Sequence, residues 1–227
     1  MYRLINRSIQ CFLRDVYGAD LWRRTSRLAG LDDDGVDLLV ASDARMTRNL
    51  LDQAAPLLGK CQEVLLEDLG TYLVSHPNCE SVRRLLRFSG ETFEDFLLSL
   101  DDLPDRARLA VPDLVMPALR LLDEGDGRFV VELAGGGPGG VPGFAEVVAG
   151  ALRALADDYG ALVLIEAEPP EAGRQDHGPG APSGPDPELR RITLSLLEHD
   201  FSAGRHFSLA APEGSGAAPG GGGAVRR

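Results

Sequence analysis

The sequence predicts an α+β fold, with a helical N-terminal part followed by a small antiparallel sheet with one crossing helix. Two observations predict it. Apolar residues recur every three to four positions through the first hundred residues, which is the helical period. After Pro117 the apolar runs become short and β-branched, and only one more helical pattern interrupts them.

The elements follow in order. Ile5, Ile9, Phe12, Leu13 and Val16 mark a first helix. Asp20 is placed to cap a second that carries Leu21, Trp22, Thr25 and Leu28, with Gly30 past its end. Met46, Leu50, Leu51, Ala54, Leu57 and Leu58 make a third, stopped by Gly59. Val64, Leu65, Leu69, Tyr72 and Leu73 make a fourth, followed by Pro77. Val82, Leu85 and Leu86 mark a short fifth. Phe93, Phe96, Leu97 and Leu100 mark a sixth, capped near Thr92. Beyond Pro117, Phe129–Leu133 reads as a strand after a turn at Gly125-Asp126-Gly127. Phe144, Val147, Val148, Ala151, Leu152 and Leu155 return to helix, ending by Gly160. Ala161–Ala167 reads as a buried strand. Ile192, Leu194 and Leu196 alternate with Thr193 and Ser195, a strand with one wet face.

The chain has 227 residues, 27 of them glycine and 15 proline. Most of this excess lies in 134–143, 169–188 and 211–227, and the rest is ordinary for a folded chain. We therefore expect one domain over 1–168 plus 189–210. Residues 169–188 are expected to be a disordered insertion, and 211–227 a disordered tail. Hydrophobic residues make up 44% and charged residues 26%, enough for a real core. A net charge of −12 opposes phosphate backbones, so no nucleic-acid partner is expected. No apolar stretch approaches the length of a membrane span, and the N-terminus lacks a signal-peptide core. Cys11, Cys61 and Cys79 form no CxxC pattern and suit a reducing compartment, so a cytoplasmic protein is expected.

Four segments in order carry a resemblance: MYRLINRSIQCFLRDVYGADLW, LAGLDDDG, LLEDLGTYLV and LLRFSGETFEDFLLSLDDL. They resemble the haem-NO-binding family, which includes the H-NOX sensors and the haem domain of soluble guanylate cyclase. The similarity spans about residues 1–168, plus a final strand. It implies haem held between a helical part and a small sheet. It also implies a histidine on the iron, and a Tyr-x-Ser-x-Arg clamp on the propionates. Nitric oxide, carbon monoxide or oxygen binds opposite the histidine, and a signalling partner such as a histidine kinase or a diguanylate cyclase reads the change.

Both signatures are missing. The family's motif corresponds to Leu100-Asp101-Asp102-Leu103-Pro104-Asp105-Arg106, so Pro104 takes the place of the axial histidine. Its ring nitrogen is tied up in an amide and has no lone pair for iron. Pro104 should also break the helix before it and open a new helical turn, with Asp101 or Asp102 near the cap. Between Val130 and Gly143 there is no Tyr, Ser or Arg to clamp the propionates. Ile5, Leu103 and Pro117 match positions that line the family's haem pocket. They read either as ordinary core or as a retained pocket for a small apolar ligand.

The expected function is therefore a non-enzymatic sensory or regulatory protein that docks on a signalling partner. Family-style haem ligation, and with it the expected cofactor, is lost in this reading. The alternative is a gas sensor with a substitute axial ligand, drawn from Tyr72, Cys79 or a histidine. His76 and Cys79 supply only two candidate metal ligands, and two do not close a zinc site. His199 and His206 read as solvated surface, and His177 lies in the insertion. Gly135-x-Gly137-x-x-Gly140 outlines a dinucleotide loop, but a glycine-rich stretch matches that pattern almost automatically, and no second βαβ unit follows. Asp32–Asp34 and Asp101-Asp102 read as loop and cap positions. Arg83, Arg84 and Arg87 read as a solvated face.

Overall fold

A computed structural model describes residues 2–31, 43–87, 90–110, 116–133, 143–168, 189–202 and 204. Asp32–Asp34, the glycine-rich loop, the expected insertion and tail, His177 and His206 lie outside the described residues, as does the Arg87 side chain.

Seven described helices precede the sheet: α1 (Tyr2–Tyr17), α2 (Ala19–Leu28), α3 (Ala44–Leu58), α4 (Gln62–Ser75), α5 (Glu80–Arg87), α6 (Phe93–Leu98) and α7 (Leu103–Ala110). Short 3-10 turns at Pro77–Cys79 and Leu100–Asp102 lead into α5 and α7. Then come β1 (Leu119–Gly125), β2 (Arg128–Leu133), α8 (Phe144–Tyr159), β3 (Leu162–Ala167) and β4 (Arg190–Glu198). The strands lie in the order β1-β2-β4-β3, every neighbouring pair antiparallel. The expected architecture holds.

Most helix ends follow the local chemistry. Thr92 and Asp95 form a reciprocal capping box at the start of α6. Gly59 terminates α3. The start of α2 corrects the expectation, because Gly18 and not Asp20 is its N-cap. Gly18 has φ 93°, a left-handed conformation that costs glycine least, and it turns the chain sharply out of α1. Asp20 instead sits in the first turn and pairs with Arg23.

Two sheet expectations also change. β1 was not foreseen; it pairs with β2 from Leu119↔Leu133 to Gly125↔Arg128. β3 is an edge strand, with Leu162 37% and Leu164 53% exposed, so it is not fully buried. Its apolar run covers one face only, through Ile165 and the partly buried Val163.

The apolar residues collect in two clusters. The helical one holds Ile9, Phe12, Leu13, Trp22, Leu50 and Leu65, among others. The sheet cluster joins Phe96, Leu97, Leu100, Phe129, Leu152 and Ile192 with their neighbours. Burying each such side chain stabilises by roughly 1.5–3 kcal/mol. Helix α4 belongs to both: Leu65, Leu69 and Tyr72 face the helical cluster, and Val74 joins the sheet cluster.

Helices α4 and α8 touch backbone to backbone. A Cβ on Gly70 would lie 2.0 Å from the Val147 carbonyl oxygen, and one on Gly150 would lie 2.0 Å from the Glu67 carbonyl oxygen. The Thr71 hydroxyl donates to the Gly150 carbonyl at 3.2 Å, and Arg153 pairs with Glu67 at the rim. Arg83 departs from the solvated face expected of it, since its Nε donates to Asp158 Oδ2 at 2.8 Å and ties α5 to α8. No described helix is long and apolar enough to cross a membrane.

Candidate functional site

The site begins at the turn into α7. Ser99 closes α6, Leu100–Asp102 make one 3-10 turn, and α7 starts at Leu103 with Pro104 in its first turn. Proline is tolerated there because first-turn N–H groups have no partner within the helix. The expected restart is present, but the break lies earlier than expected: α6 ends at Leu98, and Leu103, with φ −59° and ψ −42°, is itself helical and starts α7. Asp101 lies near the helix start, but its carboxylate accepts from the Leu121 amide of β1 at 2.7 Å. Arg106 donates back to the Ser99 carbonyl at 3.0 Å. Helix α7 is thus anchored to the sheet on one side and to the end of α6 on the other.

Leu103, Leu100 and Ala107 are buried, the first two in the sheet cluster. Pro104 and Pro117 are half-buried. Ile5 packs at the edge of the helical cluster. Ile5 and Leu103 therefore belong to different cores, which share α4 as a common wall.

Haem is the group that the resemblance implies, and its fit depends on donors for iron. From Ser99 to Ala110 there is no imidazole, thiol, thioether or phenol. An axial ligand must come from one of these. Helix α7 does not fit an iron-ligating role.

The candidate substitute ligands are occupied elsewhere. The Tyr72 hydroxyl donates to Asp15 Oδ2 at 2.7 Å. Burial first, and then this bond, push the hydroxyl well above its ordinary pKa, so it stays protonated. Burial likewise raises the Cys79 thiol, which disfavours the thiolate that iron would need. His76 stacks on Tyr72 with ring centroids 4.7 Å apart, and its Nδ1 accepts from the Asn78 amide at 3.3 Å. His199 is exposed, with its Nδ1 3.7 Å from Glu94. Among the described residues, no group of three His, Cys, Asp or Glu is placed to hold a metal ion.

Reasoning from sequence missed the polar cleft that these residues line. It opens between α1 and the end of α4 with a volume of about 470 Å³, and Arg7, Cys11, Asp15, Tyr72, Asn78 and Cys79 are among its walls. Asp15 is its centre. Besides the Tyr72 bond, it accepts from Asn78 Nδ2 at 2.8 Å, and His76 Nδ1 lies 3.9 Å away. The contacts run between residues 57 and 63 positions apart, so no local pattern announces them.

The hydrogen bond from Tyr72 is the largest cause that holds the Asp15 carboxyl below its ordinary value of 3.8, with burial opposing it. A depressed folded-state pKa contributes stability that is complete above the unfolded value and is lost as pH falls through the folded one. Asp15→Asn is therefore expected to unfold at lower urea than the parent at neutral pH, and the gap should narrow as pH drops below about 4. Urea midpoints measured at several pH values check this; a gap that widens in acid overturns it.

A model of a family described as haem-NO-binding matches residues 2–167. The chain is 25% identical over 118 residues to the soluble guanylate cyclase gcy-31 of Caenorhabditis elegans, covering 52% of this chain and 17% of that protein. It is 20% identical over 131 residues to soluble guanylate cyclase 89Da of Drosophila melanogaster, covering 58% and 20%. The chain thus matches a fifth or less of these curated relatives. Among solved structures, a mutant Cs H-NOX superposes with a TM-score of 0.65 at 15% identity, covering 89% of this chain and all of the other. A mutant of the T. tengcongensis H-NOX gives 0.64 at 15% identity, covering 88% and 99%. At such identities the superpositions show the fold alone.

Proposed function

We propose, from the premise that this chain belongs to the haem-NO-binding family, that it is a non-enzymatic sensory or regulatory module that acts without the family's histidine–iron bond. One observation carries the proposal: Pro104 stands in the first turn of α7, and the helix offers no donor for iron. Where a relative couples gas binding to a protein partner through iron, this chain has a helix fixed by Asp101 and Arg106 to its neighbours.

The output in this reading is docking on a signalling protein such as a histidine kinase or a diguanylate cyclase. The working compartment is reducing, as the unpaired cysteines suggest. A haem held by a substitute ligand is disfavoured by the protonated Tyr72 and the raised Cys79 thiol.

The test is an absorption spectrum of the protein expressed with haem supplied. We expect no stoichiometric Soret band, and no shift on addition of nitric oxide. Pro104→His is expected to leave the spectrum unchanged, because no propionate clamp stands between Val130 and Gly143. A strong Soret band in the parent chain that moves with nitric oxide overturns the proposal.

A further inference from the structure

Two of the three thiols share the polar cleft. Cys11 and Cys79 both line it and both are partly buried, whereas Cys61 is exposed at the start of α4. Asp15 sets their approach. Cys11 precedes Asp15 by four residues on α1, so the two side chains are neighbours on one helix face. From the other side, Asn78 binds Asp15 at 2.8 Å and Tyr72 binds it at 2.7 Å. Cys79 follows Asn78 directly and, like Cys11, packs against the helical cluster. Asp15 therefore holds the Pro77–Cys79 turn against the face of α1 that carries Cys11.

We infer that Cys11 and Cys79 are a redox pair, joined into a disulfide by a hydroperoxide and reopened by a dithiol, so that oxidation ties α1 to the turn after α4. One sulfur, as thiolate, attacks the peroxide. An S–O bond forms, the O–O bond breaks, and the leaving hydroxide takes a proton to become water. The second sulfur, having released its proton, attacks the resulting sulfenic acid. An S–S bond forms, the S–O bond breaks, and a second water leaves. The peroxide is reduced by two electrons, and the two thiols supply them. Reversible pairing of this kind is how disulfides serve as sensors in reducing compartments. It requires no haem and stands or falls apart from the proposed function.

The full chain carrying Cys61→Ser keeps only the two cleft thiols. On treatment with hydrogen peroxide it should lose both free thiols by Ellman titration and the mass of two hydrogens, and dithiothreitol should restore both. In the parent, cleavage after glutamate, lysine and arginine places Cys11, Cys61 and Cys79 on three separate peptides and should show Cys11 linked to Cys79. Cys11→Ser and Cys79→Ser should each abolish this linkage. If Cys61→Ser keeps both thiols free under peroxide while its circular dichroism is that of the folded parent, the inference is overturned. It is equally overturned if the parent links through Cys61 or forms disulfide dimers instead.

Discussion

Gly70→Ala is expected to lower the urea midpoint sharply, although alanine is the better helix former. The propensity gain is about 1 kcal/mol in favour of alanine in a helix interior. Against it stands a Cβ 2.0 Å from the Val147 carbonyl oxygen and 2.8 Å from the Ala151 nitrogen. Both obstacles are backbone, so no rotamer change relieves them, and α4 and α8 must separate. Overpacking of this kind costs about 1–3 kcal/mol, occasionally more. Here the separation would also loosen both cores that α4 shares, so we expect a net loss of about 2–3 kcal/mol. Gly150→Ala meets the Glu67 carbonyl oxygen at 2.0 Å and should behave alike. The double variant should lose less than the sum, because helices already pushed apart accommodate the second methyl. Equilibrium unfolding of the four proteins decides the matter. A stabilising Gly70→Ala would show that the helices do not touch there.

The second large effect is expected at Asp158. Its side chain is 3% exposed and receives the Arg83 Nε bond at 2.8 Å. Asp158→Ala leaves a guanidinium that is only 20% exposed without this partner. Removing one member of a buried pair costs about 3–5 kcal/mol, and the partial exposure of Arg83 places the expectation near the lower end. Replacing both residues should cost much less, because no charge is then left stranded. A double-mutant cycle of Asp158→Ala and Arg83→Met measures the difference. A double variant whose loss equals the sum of the two single losses would show that the pair contributes nothing as a pair.

Much of the fold was legible because it is written in local periods. The helices over 44–58, 62–75 and 144–159 follow from apolar spacing and their terminal glycine, proline or serine/threonine signals. The place of Pro104 in the first turn of a helix follows from the chemistry of one residue, but the break at Ser99 does not. Strand β1 was missed because Leu119–Gly125 shows little alternation, and its pairing with β2 holds it in place. Gly18 was passed over for Asp20 because a capping side chain is a stronger sequence signal than a backbone angle. The roles of Gly70 and Gly150 depend on two helices 80 residues apart in the chain, and no local pattern marks them. The cleft around Asp15 escaped for the same reason. Arg83 looked like one of three surface cations, and only the position of Asp158 shows otherwise.

Helix α4 is a wall of both apolar clusters. Neither cluster can melt while the other stays intact, because loss of either removes packing from the same helix. The domain is therefore expected to unfold in one cooperative transition. The amide hydrogens of α4 should be among the slowest to exchange with solvent, at a rate set by opening of the whole structure.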